Sequence, residues 1–472
     1  MSLVRHTACA RTPIHGWAPV DGQPRFSGVG FDPRAGAQEG NNNFVERPTN
    51  YAIVAAAKKD RTSLGVVSML WRLMGAAVTS LVVVGSGLAP AARAASDTPV
   101  KIGVLGDQSS VYSAAGGRGS VEAAKLAAED AGLVLGKPVE IVSADFQLKV
   151  DVGVAIARKW YDEDNVDAII DVPFSGLALA IADMTRTKKK LALFNAAASS
   201  ELTGAKCSPY VAQWTYDTYS LGHGPTSGLV SRGANSWFFL TNDTVFGASL
   251  EGDASAAVKA EGGTVVGSVR TPTASTDFSS FLLQAQASRA KVIGLVEAGA
   301  DLATVLKQGE EFGVKARGQR FAALMATIDA IHGVGLKDAQ GIIVAEAFYW
   351  DQNDETRAFA RRFYQRMGAM PTQVQAGAYS VVNHYLKAIK AVGSKDPDKV
   401  MAKMREMPIN DFMSHNARLR ADGRVMRDLY LFEVKSPRES KGEWDYYKQI
   451  AVIPADKAVR PLDQGGCPLI SQ

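Results

Sequence analysis

The residue types able to do chemistry in this chain are few and scattered. His223, His332, His384 and His415 stand apart from one another, and none has a Cys or carboxylate partner at metal-ligand spacing. Surface or packing roles account for them, and no metal is expected. Ser175 is a nucleophile by type, but no base stands at a meaningful spacing, so any Ser–His pair chosen across the chain would be arbitrary. The run Gly116-Gly-Arg-Gly119 precedes a helical stretch, yet it lacks the G-x-G-x-x-G spacing directly after a strand. No G-x-x-x-x-G-K-[ST] phosphate loop occurs, so ATP hydrolysis would belong to a partner chain and no cofactor is expected. Of three cysteines, Cys9 falls in an N-terminal prefix. Cys207 and Cys467 are candidates for one disulfide in an oxidising compartment, with two unpaired structural thiols as the alternative.

The elements that must position these residues alternate between two periods. Val100 to Leu105 reads as a buried strand, and Ser120 to Ala131 as a helix with an apolar face through Val121, Ala124, Leu126, Ala127 and Ala128. Strands over 139–144, 168–172 and 191–195 then alternate with helices around 152–162 and 177–186. After Trp214-Thr-Tyr-Asp-Thr-Tyr219 the rhythm restarts with helices near 218–231, 249–261, 278–288 and 302–312 between strands at 236–240, 264–269, 292–297, 321–325 and 341–345. Such alternation predicts an α/β protein of two doubly wound, Rossmann-like lobes with parallel sheets. Helices over 355–367, 374–392 and 397–407 follow. Arg418 to Arg424 with 427–434 reads as a hairpin turning at Asp422-Gly423. The chain therefore crosses between lobes more than once. The expected lobes are 95–214 with 350–412 and 215–349 with 413–452, with 453–472 returning to the first. Ligands of such folds bind at the carboxyl ends of the strands.

Ahead of this body, Trp71-Arg72, the apolar run 73–88 and Ala92-Arg93-Ala94 have the arrangement of a secretory signal peptide (69–94) cleaved near Ala94. Residues 16–50 are rich in Gly, Pro, Asn and Arg without apolar period, and 1–68 read as an extension outside the working protein, from a misassigned start or a disordered segment. The formal charge is +4 over 472 residues. No dense basic cluster with interleaved aromatics occurs, so nucleic acid is not an expected partner.

With these residues in view, the chain resembles an ABC-transporter substrate-binding protein of the branched-chain amino acid (Leu/Ile/Val-binding) family, a type I periplasmic-binding fold. The resemblance is carried by Val100-Lys-Ile-Gly-Val-Leu, Gly106-Asp107, Gly116-Gly-Arg-Gly119, Asp171-Val-Pro-Phe-Ser175, Phe194-Asn-Ala-Ala-Ala-Ser-Ser-Glu-Leu-Thr203, Asn242-Asp-Thr-Val-Phe-Gly247 and the Asp422-Gly423 hairpin. It implies a non-enzymatic periplasmic receptor, monomeric, whose two hinge-linked lobes close on a small organic ligand and dock on membrane permease subunits served by ATPase subunits. A sensory binding subunit, or a secreted α/β enzyme using the same cleft, are the alternatives. Carried over, the ligand contacts fall on Asp107 to Tyr112, Ser175, Ala196, Ala198 and Ser199 in one lobe. In the other they fall on Phe246, Glu297 to Ala300 and Met325 to Thr327. Trp214 and Tyr349, with Tyr216 and Trp350, are aromatic candidates for flat walls near the crossings, or else hinge packing.

The chain departs from that pattern at three points. Ala198 stands where an amino-acid binder has a Thr, Phe246 where the family has Tyr, and 321–328 carries no acidic residue for an α-ammonium group. An ammonium group buried without an anion is costly. The departures point away from a leucine-type ligand and toward an aromatic or other organic acid, unless Asp107 or Glu297 replaces the missing carboxylate.

Overall fold

The computed structural model describes residues 98–470. The signal-peptide and prefix readings, and Cys9 with them, lie outside those residues.

Five parallel strands form the first sheet: β1 (Lys101–Gly106), β2 (Glu140–Asp145), β3 (Ala168–Asp171), β4 (Leu191–Phe194) and β5 (Val211–Gln213), in the order β2-β1-β3-β4-β5. β3 and β4 are buried along their whole length, as strands covered by helices on both faces must be. Helices Gly117–Ala131 and Gln373–Val392 pack on one another, and Ala123, Ala124, Val381, Val382 and Leu386 share a core with Ile102, Val104, Ile170 and Leu193. Burying each of the larger aliphatic side chains contributes about 1.5–3 kcal/mol.

The second sheet is β6 (Ser236–Asn242), β7 (Thr264–Thr271), β8 (Val292–Val296) and β9 (Arg320–Ala323), parallel, in the order β7-β6-β8-β9. The edge strand β7 alternates exposed and half-buried residues, which suits one wet face. The α/β architecture with two doubly wound sheets is therefore the one expected. One strand is placed differently. β10 (Ile343–Glu346) is not a fifth parallel strand of this sheet; it pairs antiparallel with β14 (Leu429–Val434), which pairs in turn with β15 (Tyr447–Ile453). A fully buried four-residue strand, here Ile-Val-Ala-Glu, carries no information about strand direction, so the sequence pattern could not separate the two cases. β11 (Ile409–Asp411), β12 (Ser414–Leu419) and β13 (Val425–Met426) make a further small sheet. The hairpin turns at Asp422-Gly423 as expected, with Gly423 at φ +90°, but its second arm ends at Met426 and β14 starts a separate pairing.

The crossings form a multi-strand hinge. Trp214–Asp217 leads from β5 to helix Thr218–Val230, Ala347–Trp350 leads out of β10, and Arg427–Asp428 joins β13 to β14. The hairpin tip is bound to the first crossing: Gln213 N–H donates to Gly423 O at 2.8 Å, and Arg424 Nε reaches Asp217 Oδ2 at 2.7 Å with both side chains 2% exposed. Removing either partner of such a pair would strand a buried charge.

Cys207 and Cys467 are bonded, with Cα atoms 5.6 Å apart and 260 residues of separation. Arg460 adds a hydrogen bond to Ser200 O at 2.9 Å, so the C-terminal segment is fastened beside the loop after β4. Cross-linking so long a loop restricts the unfolded chain strongly. Replacing both cysteines with serine is expected to cost about 2–5 kcal/mol and to lower the calorimetric melting midpoint by several degrees. An unchanged midpoint would show that the segment is held by its hydrogen bonds alone.

Candidate ligand-binding cleft

The carboxyl ends of both parallel sheets face one pocket. Its wall is Tyr112, Ala115, Gly116, Pro173, Ala196, Ala198, Tyr216, Phe246, Ala298, Gly299, Met325, Thr327 and Val374, around about 450 Å³ of atom-free space counted to the mouth. Much of that space is open mouth, and the facing walls stand close together. A larger cavity beside Arg232, Lys315 and Arg320 borders the amino ends of β9 and β10, away from the strand ends where such folds bind.

Each wall residue is placed by a strand end or a helix start. Asp107, fully buried after β1, accepts from the N–H groups of Ser109, Ser110 and Tyr112 at 3.3, 2.9 and 2.8 Å and from Ser110 Oγ at 2.9 Å. These bonds wrap the loop round the carboxylate and aim Tyr112 into the cleft. Burial, followed by the nearby Asp301, Glu297 and Asp107 carboxyls, pushes the Tyr112 phenol well above its usual range, so it is neutral. From the loop after β5, Tyr216 donates its hydroxyl to Ala196 O at 3.0 Å and shows the pocket an aromatic face. Phe246 lies in the first turn of helix Val245–Ala260, which Thr244 caps through Gly247 N–H at 3.2 Å.

The lining is almost wholly apolar, and Thr327 brings the one aliphatic hydroxyl among the pocket residues. Helix starts supply the polarity. Gly116 caps helix Gly117–Ala131, Ala298 caps Gly299–Glu311, Val374 lies in the first turn of Gln373–Val392, and Pro173 stands just before Ser175–Lys188. The positive ends of the helix dipoles favour an anion, although Ala300 N–H and Gln375 N–H are already bonded, to Val111 O and Thr372 Oγ1. No Lys, Arg, Asp or Glu is in the lining.

The two walls meet. Ala300 N–H, beside β8, donates to Val111 O, beside β1, at 3.0 Å. Ser249 adds contacts to Thr218 Oγ1 at 2.8 Å and Ser199 Oγ at 3.3 Å.

Among the residues singled out from sequence, Tyr112, Ala196, Ala198 and Phe246 come together in the lining, with Ala298, Gly299, Met325 and Thr327 from the ranges opposite. Others stand behind it. Asp107 is committed to its loop, the Ser175 hydroxyl accepts Ser199 N–H at 3.2 Å, and Ser199 bonds Ser249. Glu297 is held by Asn242 Nδ2 at 3.1 Å and by Thr271 Oγ1, and its burial pushes its carboxyl up to about 8. Trp214 is in the core of the first sheet, donating to Ser380 Oγ at 2.9 Å, and Tyr349 donates to Trp444 O at 3.1 Å. Ala115, Pro173 and Val374 were not singled out as contacts. Pro173 lay inside a quoted motif, whereas Val374 had only the Thr372-to-Gln375 capping box before it as a signal.

Two hinge-linked α/β bodies with an apolar cleft between their strand ends define a solute-binding receptor. The periplasmic binding protein family matches residues 99–443, and the chain belongs to it. A periplasmic binding protein from Burkholderia mallei is 41% identical, superposes with a TM-score of 0.78, and is matched over 79% of this chain and 99% of its own. A branched chain amino acid ABC transporter periplasmic ligand-binding protein from Burkholderia xenovorans LB400 is 43% identical, with a TM-score of 0.71 and coverage of 78% and 99%. Leu/Ile/Val-binding protein homolog 6 of Brucella melitensis biotype 1 is 25% identical over 356 residues, 73% of this chain and 90% of that protein. The protein is a non-enzymatic, periplasmic solute-binding protein of the ABC-transport type.

Proposed function

We propose that the chain binds a small carboxylate with an apolar or aromatic body, closes its lobes over it, and presents the closed form to the permease and ATPase subunits of an importer. The lobes in this reading are 95–214 with 350–412 and 215–349 with 413–452; 453–472 returns to the first, and the receptor acts as an exported monomer cut near Ala94. Tyr112, Ala196, Ala198 and Phe246 contact the ligand, while Asp107, Ser175, Ser199, Glu297, Trp214 and Tyr349 hold the surrounding wall.

The observation that carries the ligand class is the combination of an uncharged, aromatic-walled lining with four helix starts around it. Helix starts hold a carboxylate, and Tyr112, Tyr216 and Phe246 suit a flat or branched apolar body. The relative from Burkholderia xenovorans is described as a branched chain amino acid protein. The absence of a lining carboxylate for an ammonium group argues instead for an acid without one. Mass spectrometry of what co-purifies, joined to a thermal-shift screen of leucine, isovalerate and benzoate, tests this. Stabilisation by the simple acids above leucine is expected; leucine alone, or chemical conversion of a bound compound, would overturn the reading. Tyr112→Ala should weaken binding roughly tenfold or more with little change in melting; equal affinity would mean that the cleft is misassigned.

A further inference from the structure

Asp171, the last residue of β3, lies behind the pocket wall and is 0% exposed. Its Oδ1 accepts two hydrogen bonds, from Ser120 Oγ at 3.0 Å and Asn195 Nδ2 at 3.1 Å, and its N–H donates to Asn195 Oδ1 at 2.9 Å. Asn195 is itself tied to Val374 O at 3.0 Å. Oδ2, by contrast, has no hydrogen-bond partner among the described residues. A buried polar atom left so is uncommon and calls for a ligand, a water or a function.

On one side Oδ2 borders the back of the pocket wall. A side-chain carbon at Gly116 would stand 3.4 Å from Oδ2 and 3.4 Å from Val374 Cγ1; Gly116 and Val374 both line the cleft. Ala196, another lining residue, donates its N–H to Asp171 O at 3.4 Å, and lining Pro173 follows two residues later. At Gly106 a side-chain carbon would come within 2.7 Å of the same oxygen and would press on the Asp171 carboxyl. The backbone is also held in an unfavourable conformation. Asp171 has φ +76° and the β-branched Val172 φ +56°, a pair of left-handed residues that the surrounding packing must enforce. Strain of this kind collects where a group must be aimed.

We propose that Asp171 is a specificity-determining ligand contact whose Oδ2, carrying the carboxyl proton, donates a hydrogen bond past the side-chain-free face of Gly116 to an anionic oxygen of the ligand. This rests on the carboxylate reading of the cleft and names the group that selects the anionic end. The chemistry favours donation over acceptance. Within the carboxylate reading Oδ2 must donate, since an ionised Asp171 would repel a carboxylate; an ionised Oδ2 would instead accept from an ammonium group, the outcome that leucine binding would reveal. The titratable groups facing it are Asp107 from the loop after β1 and the Tyr216 phenol from the loop after β5; Ser120, Asn195 and Val374 are the uncharged neighbours from the other elements. Burial, opposed by the Ser120 and Asn195 bonds and reinforced by Asp107, pushes the Asp171 carboxyl up to about 7. Affinity for an acid should therefore fall as pH rises through neutrality.

The test is calorimetric binding of benzoate and isovalerate, with leucine as the zwitterionic comparison, to the wild type, Asp171→Asn, Asp171→Ala and Gly116→Ala. Each is measured at about pH 6 and about pH 8.5, where the proton is mostly present and mostly absent. Wild-type affinity for the acid should fall roughly tenfold or more between the two. Asp171→Asn, whose amide N–H replaces the donor, should bind comparably near pH 6 and stay flat, which separates Asp171 from Glu297, still titrating in that variant. Asp171→Ala and Gly116→Ala should both lose about tenfold or more, the second with its carboxyl intact. Wild-type and Asp171→Asn profiles of equal slope, or an Asp171→Ala variant of undiminished affinity, would overturn the assignment while leaving the carboxylate reading standing. Leucine alone binding, or none of the three, would overturn that reading and this assignment with it.

Discussion

Gly299→Val is expected to abolish tight ligand binding while leaving the second sheet folded. Gly299 begins helix Gly299–Glu311 at φ +58°, and a side-chain carbon there would lie 2.1 Å from Val111 O and 3.2 Å from Tyr112 Cδ1. The nearest obstacle is backbone of the facing loop, not the end of a flexible side chain. Val111 O is also the acceptor of the Ala300 N–H bond that joins the two walls. A β-branched side chain must therefore push the loops apart, break that bond and displace Tyr112 from the lining. Ligand contacts on both walls favour the closed form, so holding the walls apart removes part of the interaction and lowers apparent affinity. The conformational cost inside the second sheet is smaller, about 1–2 kcal/mol for a left-handed residue. Titration calorimetry should show a loss of about a hundredfold or more, with only a modest change in melting midpoint. X-ray scattering should find no ligand-dependent compaction of the variant. Wild-type affinity in Gly299→Val would mean that the Val111–Ala300 contact does not belong to the ligand-bound form.

The alternation of strands and helices was legible because each buried parallel strand is an apolar run, as in Leu191–Phe194 and Val292–Val296, followed by a helix with a distinguishable inner face. Short or direction-dependent pairings were not. β5 offers three residues, Val211–Gln213, too few for a pattern, and β10 declares its antiparallel partner only through β14, more than eighty positions later in the chain. The cleft was legible in outline because strand-end loops follow strands in sequence. Which aromatic faces it was not, because side-chain direction depends on distant packing: Trp214 turns to Ser380 on a helix from a later part of the chain, whereas Tyr216, two residues on, turns to Ala196 and the pocket. Asp171 stood in a quoted motif, but nothing in its neighbours announced the left-handed backbone or the unpaired oxygen. Val374 was hidden for the opposite reason. Helix Gln373–Val392 is buried on almost every side, so no single face marks it as a wall.

Folding stability should decline as pH is raised from about 5 to about 9, a direction set by carboxyls that burial raises: Asp171 and Glu297, joined by Glu346, Asp329, Asp253 and Asp301. Asp171 and Glu297 are both 0% exposed, and burial pushes their carboxyls up to about 7 and about 8. In the unfolded chain both ionise in the ordinary carboxylate range. Between that range and the raised values the folded state holds protons that the unfolded state has released. The associated stability is complete at lower pH and lost as pH climbs through about 7 and then about 8. Each group can account for on the order of 4 kcal/mol if its whole shift is expressed, an upper figure since local opening and water entry reduce it. Surface pairs act in the other direction. Arg362 holds the Asp130 carboxyl below its usual range, so what that pair contributes is lost only as pH falls through the acid range. The optimum should consequently lie on the mildly acidic side. Asp171→Asn and Glu297→Gln should each flatten the decline and together remove their own share of it, leaving the part carried by the buried Glu346 and Asp329 carboxyls, measured as urea midpoints at closely spaced pH values without ligand. The two substitutions should be nearly additive, because Asp171 and Glu297 share no hydrogen-bond partner. A stability curve that rises toward pH 9, or one that the double substitution leaves unchanged, would mean that both carboxyls stay ionised in the folded protein.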